Sequence, residues 1–167
     1  LEDLELKRGD LLLCGDPNFG EVDFSLSCRY DLREKFNLGL TLIHSFEYAE
    51  AEKVFVNILD QDKDCVMAYW ATAMSILNHP LSRRQNTESL KRGEELLKVA
   101  KTLVVNNERE KDYLDAVGIY FKDWQNLDTQ TRKLKYESKM EELYLKYPND
   151  VETAVFYSCL LYTSDAA

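Results

Sequence analysis

Few side chains able to do chemistry occur in this 167-residue chain, which has two histidines and four cysteines. His44 and His79 are 35 positions apart, and each lies at the predicted C-terminal end of a helix. If those helices stack as repeats, both imidazoles reach one rim, where they could bind a metal ion. Each imidazole could instead interact only with the last carbonyl groups of its helix. Because no third ligand follows at a regular spacing, we expect no metal ion and no cofactor.

Two of the cysteines flank a segment that contains glycine and proline. Cys14 and Cys28 could form a disulfide there if the protein is exported, or remain free thiols in a cytosolic protein, and their spacing leaves both alternatives open. Cys65 lies in an apolar helical stretch, which predicts a buried and unreactive thiol. The sequence has no Cys-x-x-Cys pair, phosphate-binding glycine loop, nucleophile elbow or His-Glu-x-x-His motif. It therefore predicts a protein that is not an enzyme.

The composition is that of an ordinary globular chain, with 45% hydrophobic residues, only 3 Pro and only 6 Gly. Its net charge of −9 opposes binding to nucleic acids and to anionic membrane surfaces. No apolar stretch approaches the roughly 20 residues that a membrane-spanning helix needs. We therefore expect no nucleic-acid partner and no membrane span.

The spacing of apolar residues divides the chain into an extended segment and a series of helices. Residues 1–30 carry Gly, Pro and Asn, and the alternation from Val22 to Leu26 is typical of extended chain. From Leu32 onward, apolar residues recur every three or four positions, which predicts amphipathic helices over residues 31–158. Short links require these helices to pack as antiparallel hairpins, about three of them and the start of a fourth.

Polar residues that precede the apolar stretches predict where helices begin. Thr87, Asn107 and Asp150 would each cap a helix, and another helix would follow Asp128 or Thr129. Glu110 follows Asn107 at the spacing of a capping box. The helix after Asp128 would turn Leu134 inward together with later apolar residues. Residues 159–167 resemble the translation of a sequencing adapter, and we expect them to be a non-native tail.

The first two hairpins repeat one pattern with a period of 34 residues. Gly39 and Ala73 mark equivalent positions of it, and a small residue and an aromatic residue follow Gly39 at the spacing of tetratricopeptide (TPR) repeats. The strings Leu-Ile-His-Ser-Phe from Leu42, Ala-Tyr-Trp from Ala68 and Asn-His-Pro-Leu from Asn78 resemble the Leu-His-Ser-Phe, Ala-Tyr-Trp and Asn-His-Pro-Leu elements of a bacterial family of TPR proteins. The resemblance implies an all-α, irregular TPR-like helical-hairpin solenoid. Because members of this family are often exported, it favours a periplasmic or secreted protein over a cytoplasmic one.

In such a solenoid the first helix of each hairpin lines a concave groove. An apolar groove does not stay open to water, so three alternatives remain. It binds a protein or peptide partner, residues 15–30 fold back into it, or it is repeat-to-repeat core. Our leading hypothesis is a protein-protein interaction scaffold, and the alternative is an exported metal-dependent protein or enzyme that uses the histidine rim with residues from a missing C-terminal part. The predicted groove residues are Phe36, Leu40, Ile43, Met67, Trp70, Met74 and Leu77.

Overall fold

The computed structural model of the chain describes residues 1, 4–13, 19–77 and 86–164, and this part of the protein is all-α. A 3-10 turn, Tyr30–Leu32, leads into the first of seven helices in the described ranges. The helices are α1 (Arg33–His44), α2 (Tyr48–Gln61), α3 (Val66–Leu77), α4 (Thr87–Ala100), α5 (Glu108–Phe121), α6 (Thr129–Lys146) and α7 (Val151–Ser164).

The helices pack in chain order as a solenoid of hairpins. α1 packs on α2, α3 on α4 and α5 on α6, while α7 packs on α6 as the first helix of a fourth pair. Contacts of α1 with α3 and of α3 with α5 join one hairpin to the next. The first helices of the three complete hairpins therefore lie side by side, and we call the surface that α1, α3 and α5 form the inner face. Every residue of α3 is buried, as its continuous apolar sequence predicts.

A Schellman turn closes the first hairpin. Glu47 N–H donates to Leu42 O over 2.9 Å, and Phe46 N–H donates to Ile43 O over 3.0 Å. These are the two bonds of that motif, and its middle residue takes a left-handed conformation. Phe46 fills that position with a φ of 64°, where glycine is the usual residue. The short turn forces α2 to run antiparallel to α1.

The structure confirms two of the three predicted caps. Asn107 accepts hydrogen bonds from two amides of α5, and Asp150 accepts one from Thr153 N–H at the start of α7. The cap of α6 is Asp128, which accepts from Thr131 N–H. The cap of α4 is Asn86 rather than Thr87, because the Asn86 side chain accepts from Glu88 N–H. Asparagine is the stronger N-cap of the two adjacent residues.

The inward stripe of α6 differs from the predicted one. Leu134 is 49% exposed, whereas Tyr136, Met140 and Leu143 are buried. Starting from Met140, a step of four residues back reaches Tyr136, and Leu134 lies on the opposite side of the helix. Tyr136 thus takes the core position that we had assigned to Leu134.

The N-terminal part of the chain wraps around the helices without forming a strand in its described residues. Residues 4–13, which we call the outer arm, contact α2 and α4, the second helices of their hairpins. Residues 19–29, the inner arm, lie across the inner face. Among the described helices, none combines the length and the hydropathy needed to cross a bilayer.

Candidate functional site on the inner face

An aromatic cage on the inner face holds one side chain of the inner arm. The Phe24 ring lies 5.5 Å from that of Phe36 on α1, 6.1 Å from Trp70 on α3 and 5.6 Å from Tyr113 on α5. The Trp70 ring in turn contacts Phe156 on α7 at 5.5 Å. Phe24 is 1% exposed, so burial of this one side chain joins all three complete hairpins.

Polar side chains beside the cage hold the backbone of the arm. Asn37 Oδ1 accepts from Phe24 N–H over 3.1 Å. Glu110 accepts from Ser27 twice, from its N–H over 2.6 Å and from its hydroxyl over 2.5 Å. The Arg109 guanidinium donates to Ser25 O. Three of these four hydrogen bonds involve backbone atoms of the arm, so the helices bind it mainly through its main chain.

Glu110 takes a different role from the one its position predicts. In a capping box its carboxylate would return to Asn107 N–H, but both of its oxygens accept from Ser27 instead. Asn107 supplies the cap alone, through bonds from Arg109 N–H and Glu110 N–H. With the arm in place Glu110 is 1% exposed, and Ser27 supplies the hydrogen bonds that this buried carboxylate needs.

Arg109 connects the arm, α5 and α7. Its guanidinium lies 4.4 Å above the centre of the Phe24 ring, a cation–π arrangement, and also pairs with Asp150 at 2.6 Å. Asp150 accepts a further bond from the Tyr113 hydroxyl over 3.0 Å. Burial raises the pKa of Tyr113 well above its ordinary value, so the phenol stays neutral and donates.

A disulfide fastens the end of the inner arm to the solenoid. Cys28 bonds to Cys65, just before α3, with a Cα–Cα distance of 5.0 Å. Neither alternative that the spacing left open for Cys28, a disulfide with Cys14 or a free thiol, is correct, because the docked arm brings Cys28 to Cys65, 37 residues away in sequence. Cys14 lies outside the described residues. Cys65 is buried as expected, yet it is a disulfide partner and not a free thiol.

The seven predicted groove residues all lie on the inner-face helices and are all buried. Phe24 covers Phe36 and Trp70 directly, and α7 covers Trp70 from the other side through Phe156. Part of the segment 15–30 thus folds back onto this face, which was one of our three alternatives. Besides Phe36 and Trp70, the predicted groove residues are Leu40, Ile43, Met67, Met74 and Leu77, and none of these five is more than 5% exposed. A role of the seven residues in partner binding stays a prediction.

The two histidines of the predicted rim are not seen together. His44 Nε2 lies 2.7 Å from Glu152 Oε2, and its ring packs 5.2 Å from that of Phe156. His79 lies outside the described residues. Within the described ranges no three potential metal ligands converge. His44 therefore joins the end of α1 to the start of α7.

The outer arm is held by similar contacts on the other side of the solenoid. Glu52 accepts from Lys7 N–H over 2.9 Å, and Glu50 accepts from Leu12 N–H over 2.8 Å. Arg92 donates to Leu4 O over 3.0 Å and pairs with Glu52. Sequence reasoning had no signal for these residues, because acidic and basic side chains on a helix usually face water.

An open cleft lies beside the inner arm. It has a volume of about 620 Å³, and residues 21–25 form one wall and residues 146–152 the other. Arg109 lies at its base. The cleft leaves one side of the arm open to solvent, so another chain can approach the arm without any movement of the helices.

No protein-family model matches this chain, and neither a curated protein nor a solved structure matches it. The functional conclusion therefore rests on the geometry of the inner face.

Proposed function

We propose that this protein is a non-enzymatic interaction scaffold of the TPR type, which binds an extended polypeptide segment on the inner face of its helical solenoid. The observation that carries the proposal is the docked inner arm. The face holds this extended chain by side-chain bonds to three of its backbone groups and by one aromatic anchor. A surface that recognises main-chain atoms accepts segments of different sequence, as a scaffold requires.

In this proposal the inner arm is an internal occupant of the client site. Its tether at Cys28 and its continuity with α1 give it a high effective concentration, so a client competes with it. Displacement starts from the open cleft, which residues 21–25 line and in which Glu21, Asp23 and Ser25 are exposed. The client then takes over the cage and the bonds to Asn37 and Glu110.

The disulfide supports an oxidising compartment for the working protein, because such bonds persist in exported proteins and are rare in the cytosol. We therefore propose that the scaffold acts outside the cytoplasm.

The test uses a labelled synthetic peptide with the sequence of residues 19–29 and serine in place of Cys28. Binding to the whole protein is measured by fluorescence anisotropy. Wild-type protein should bind it weakly, because its own arm fills the site, whereas Phe24→Ala should bind at least about 10-fold more tightly, because its arm has lost the anchor. Ser25→Ala, at an exposed position of the arm, is the matched control and should behave as wild type. If neither protein binds the peptide while hydrogen exchange shows a released arm in Phe24→Ala, the proposal is wrong.

A further inference from the structure

The inner arm shows which side chains the inner face can select, and this inference rests on the proposed function. Even-numbered arm residues point toward the helices: Phe24 is buried, and Val22 and Leu26 pack partly buried against the core. Asp23 and Ser25, between them, are exposed. Because an extended chain alternates its side chains between two sides, every second side chain from Val22 to Leu26 packs on the solenoid. The chain bends at Ser27, and the side chain of this odd-numbered residue also reaches the solenoid.

The cage selects an aromatic residue at the central position. Its walls are the rings of Phe36, Trp70 and Tyr113, and Tyr113 meets Phe24 edge to face at an interplanar angle of 80°. Arg109 closes the cage with its guanidinium above the ring. An aliphatic side chain could fill part of this space but would gain neither the edge-to-face contact nor the cation–π interaction.

Glu110 selects a hydroxyl residue three positions after the anchor. Its two oxygens bind the N–H and the hydroxyl of the same residue, Ser27. With alanine there, one oxygen of a carboxylate that is 1% exposed would lose its donor, and an unpaired buried acceptor is costly. The backbone bond alone does not satisfy the group, so the side chain at this position is discriminated.

We infer that the client of the inner face is an extended segment with an aromatic residue, apolar residues two positions before and after it, and serine or threonine three positions after it. The two intervening positions are weakly constrained, since Ser25 is exposed and Asp23 makes only an exposed ion pair, with Arg33 on α1. The arm is then an internal copy of the client sequence.

The experiment measures a peptide series against the whole Phe24→Ala protein. The parent peptide carries residues 19–29 with serine in place of Cys28. Leucine at the anchor should weaken binding at least about 10-fold, and alanine in place of Ser27 about 10-fold. Alanine in place of Ser25, the matched control, should change affinity less than about 2-fold. The series is repeated on the Phe24→Ala, Cys28→Ser protein, which also lacks the disulfide that tethers the arm. This second protein leaves the site open even if the arm of the single variant stays docked.

A second protein variant tests whether the Glu110 carboxylate causes the preference for a hydroxyl residue at the Ser27 position. In Phe24→Ala, Glu110→Ala protein the parent peptide and its Ser27→Ala form should bind equally, because the carboxylate that distinguishes them is gone. Equal binding of all peptides, a scrambled one included, would overturn the inferred pattern and leave the proposed function standing. Absence of binding by every peptide to both arm variants would overturn the two together. A persisting loss from the Ser27 change without Glu110 would overturn the role of Glu110.

Discussion

Gly39 and Gly93 let pairs of helices approach closely. A Cβ atom at Gly39 would lie 2.5 Å from Phe55 Cε1 on α2, and one at Gly93 would lie 2.5 Å from Phe121 Cζ on α5. Non-bonded carbon atoms do not approach this closely, so each ring packs directly on a glycine backbone that has no room for a side chain. Gly118, in the last turn of α5, has no atom of another element within 4 Å of its Cβ position. Close packing therefore requires glycine at positions 39 and 93 but not at position 118.

Gly39→Ala should destabilise the protein by about 1–3 kcal/mol, because Phe55 has to move within a packed core. Gly118→Ala should stabilise it by about 0.5–1 kcal/mol, because alanine restricts the unfolded chain and fits the helix. Urea unfolding followed by circular dichroism gives both free energies. If the two variants shifted the midpoint in the same direction, the close packing at Gly39 would be refuted.

Glu50 should make the stability of the protein sensitive to acid. Burial of the carboxylate raises its pKa, but the hydrogen bond from Leu12 N–H and the contact with Lys53 outweigh burial and hold the pKa below its ordinary value of 4.5. A lowered pKa in the folded state stabilises the protein above the ordinary pKa, and this stabilisation is lost as the pH falls through the folded value.

Glu50→Gln should therefore cost stability at pH 6, and this cost should shrink as the pH falls through the lowered pKa of Glu50, because the wild-type carboxylate then becomes protonated. The free energy of unfolding of both proteins, measured across this range, tests the expectation. A difference that stays constant with pH would contradict it.

At the scale of elements, helix ends decide whether the inner arm is held. α5 begins at Glu108, and its cap, Asn107, fixes the first turn from which Arg109 and Glu110 reach the arm. α4 begins in the same way after Asn86, but its cap accepts from the N–H of Glu88, an exposed residue. An asparagine N-cap thus positions a contact with the distant arm in α5, whereas in α4 it stabilises only the start of the helix.

Asn107→Ala and Asn86→Ala should each cost about 1 kcal/mol of stability through the lost cap. Only Asn107→Ala should also speed hydrogen exchange in residues 21–27, since it loosens the turn that carries Glu110. Exchange measured by mass spectrometry distinguishes the two variants. Equal exchange of the arm in both would mean that the first turn of α5 does not control it.

At the scale of the whole molecule, the N-terminal segment and one disulfide hold the solenoid together. The outer arm lies on second helices, the inner arm on first helices, and Cys28–Cys65 closes a loop that contains α1 and α2. Both faces of the first hairpin are therefore covered by the segment that precedes it.

Reduction of the disulfide should lower stability by about 3–4 kcal/mol, because the closed loop no longer limits the unfolded chain. Thermal unfolding of wild-type protein with and without a reductant measures the effect. A Cys28→Ser, Cys65→Ser protein is the control, and its melting temperature should not respond to the reductant. An unchanged melting temperature in reduced wild-type protein would contradict the expectation.

The sequence by itself determined the helices, their hairpin order and most of their caps, because periodicity and caps act between residues within a turn or two of one another. The alternation from Val22 to Leu26 also indicated an extended segment. Only the tertiary structure decided that Cys28 bonds to Cys65, that Glu110 binds Ser27 across 83 positions, and that the inner face is covered. Those outcomes depend on which distant segments meet, and no local pattern encodes the meeting of an extended arm with three stacked helices.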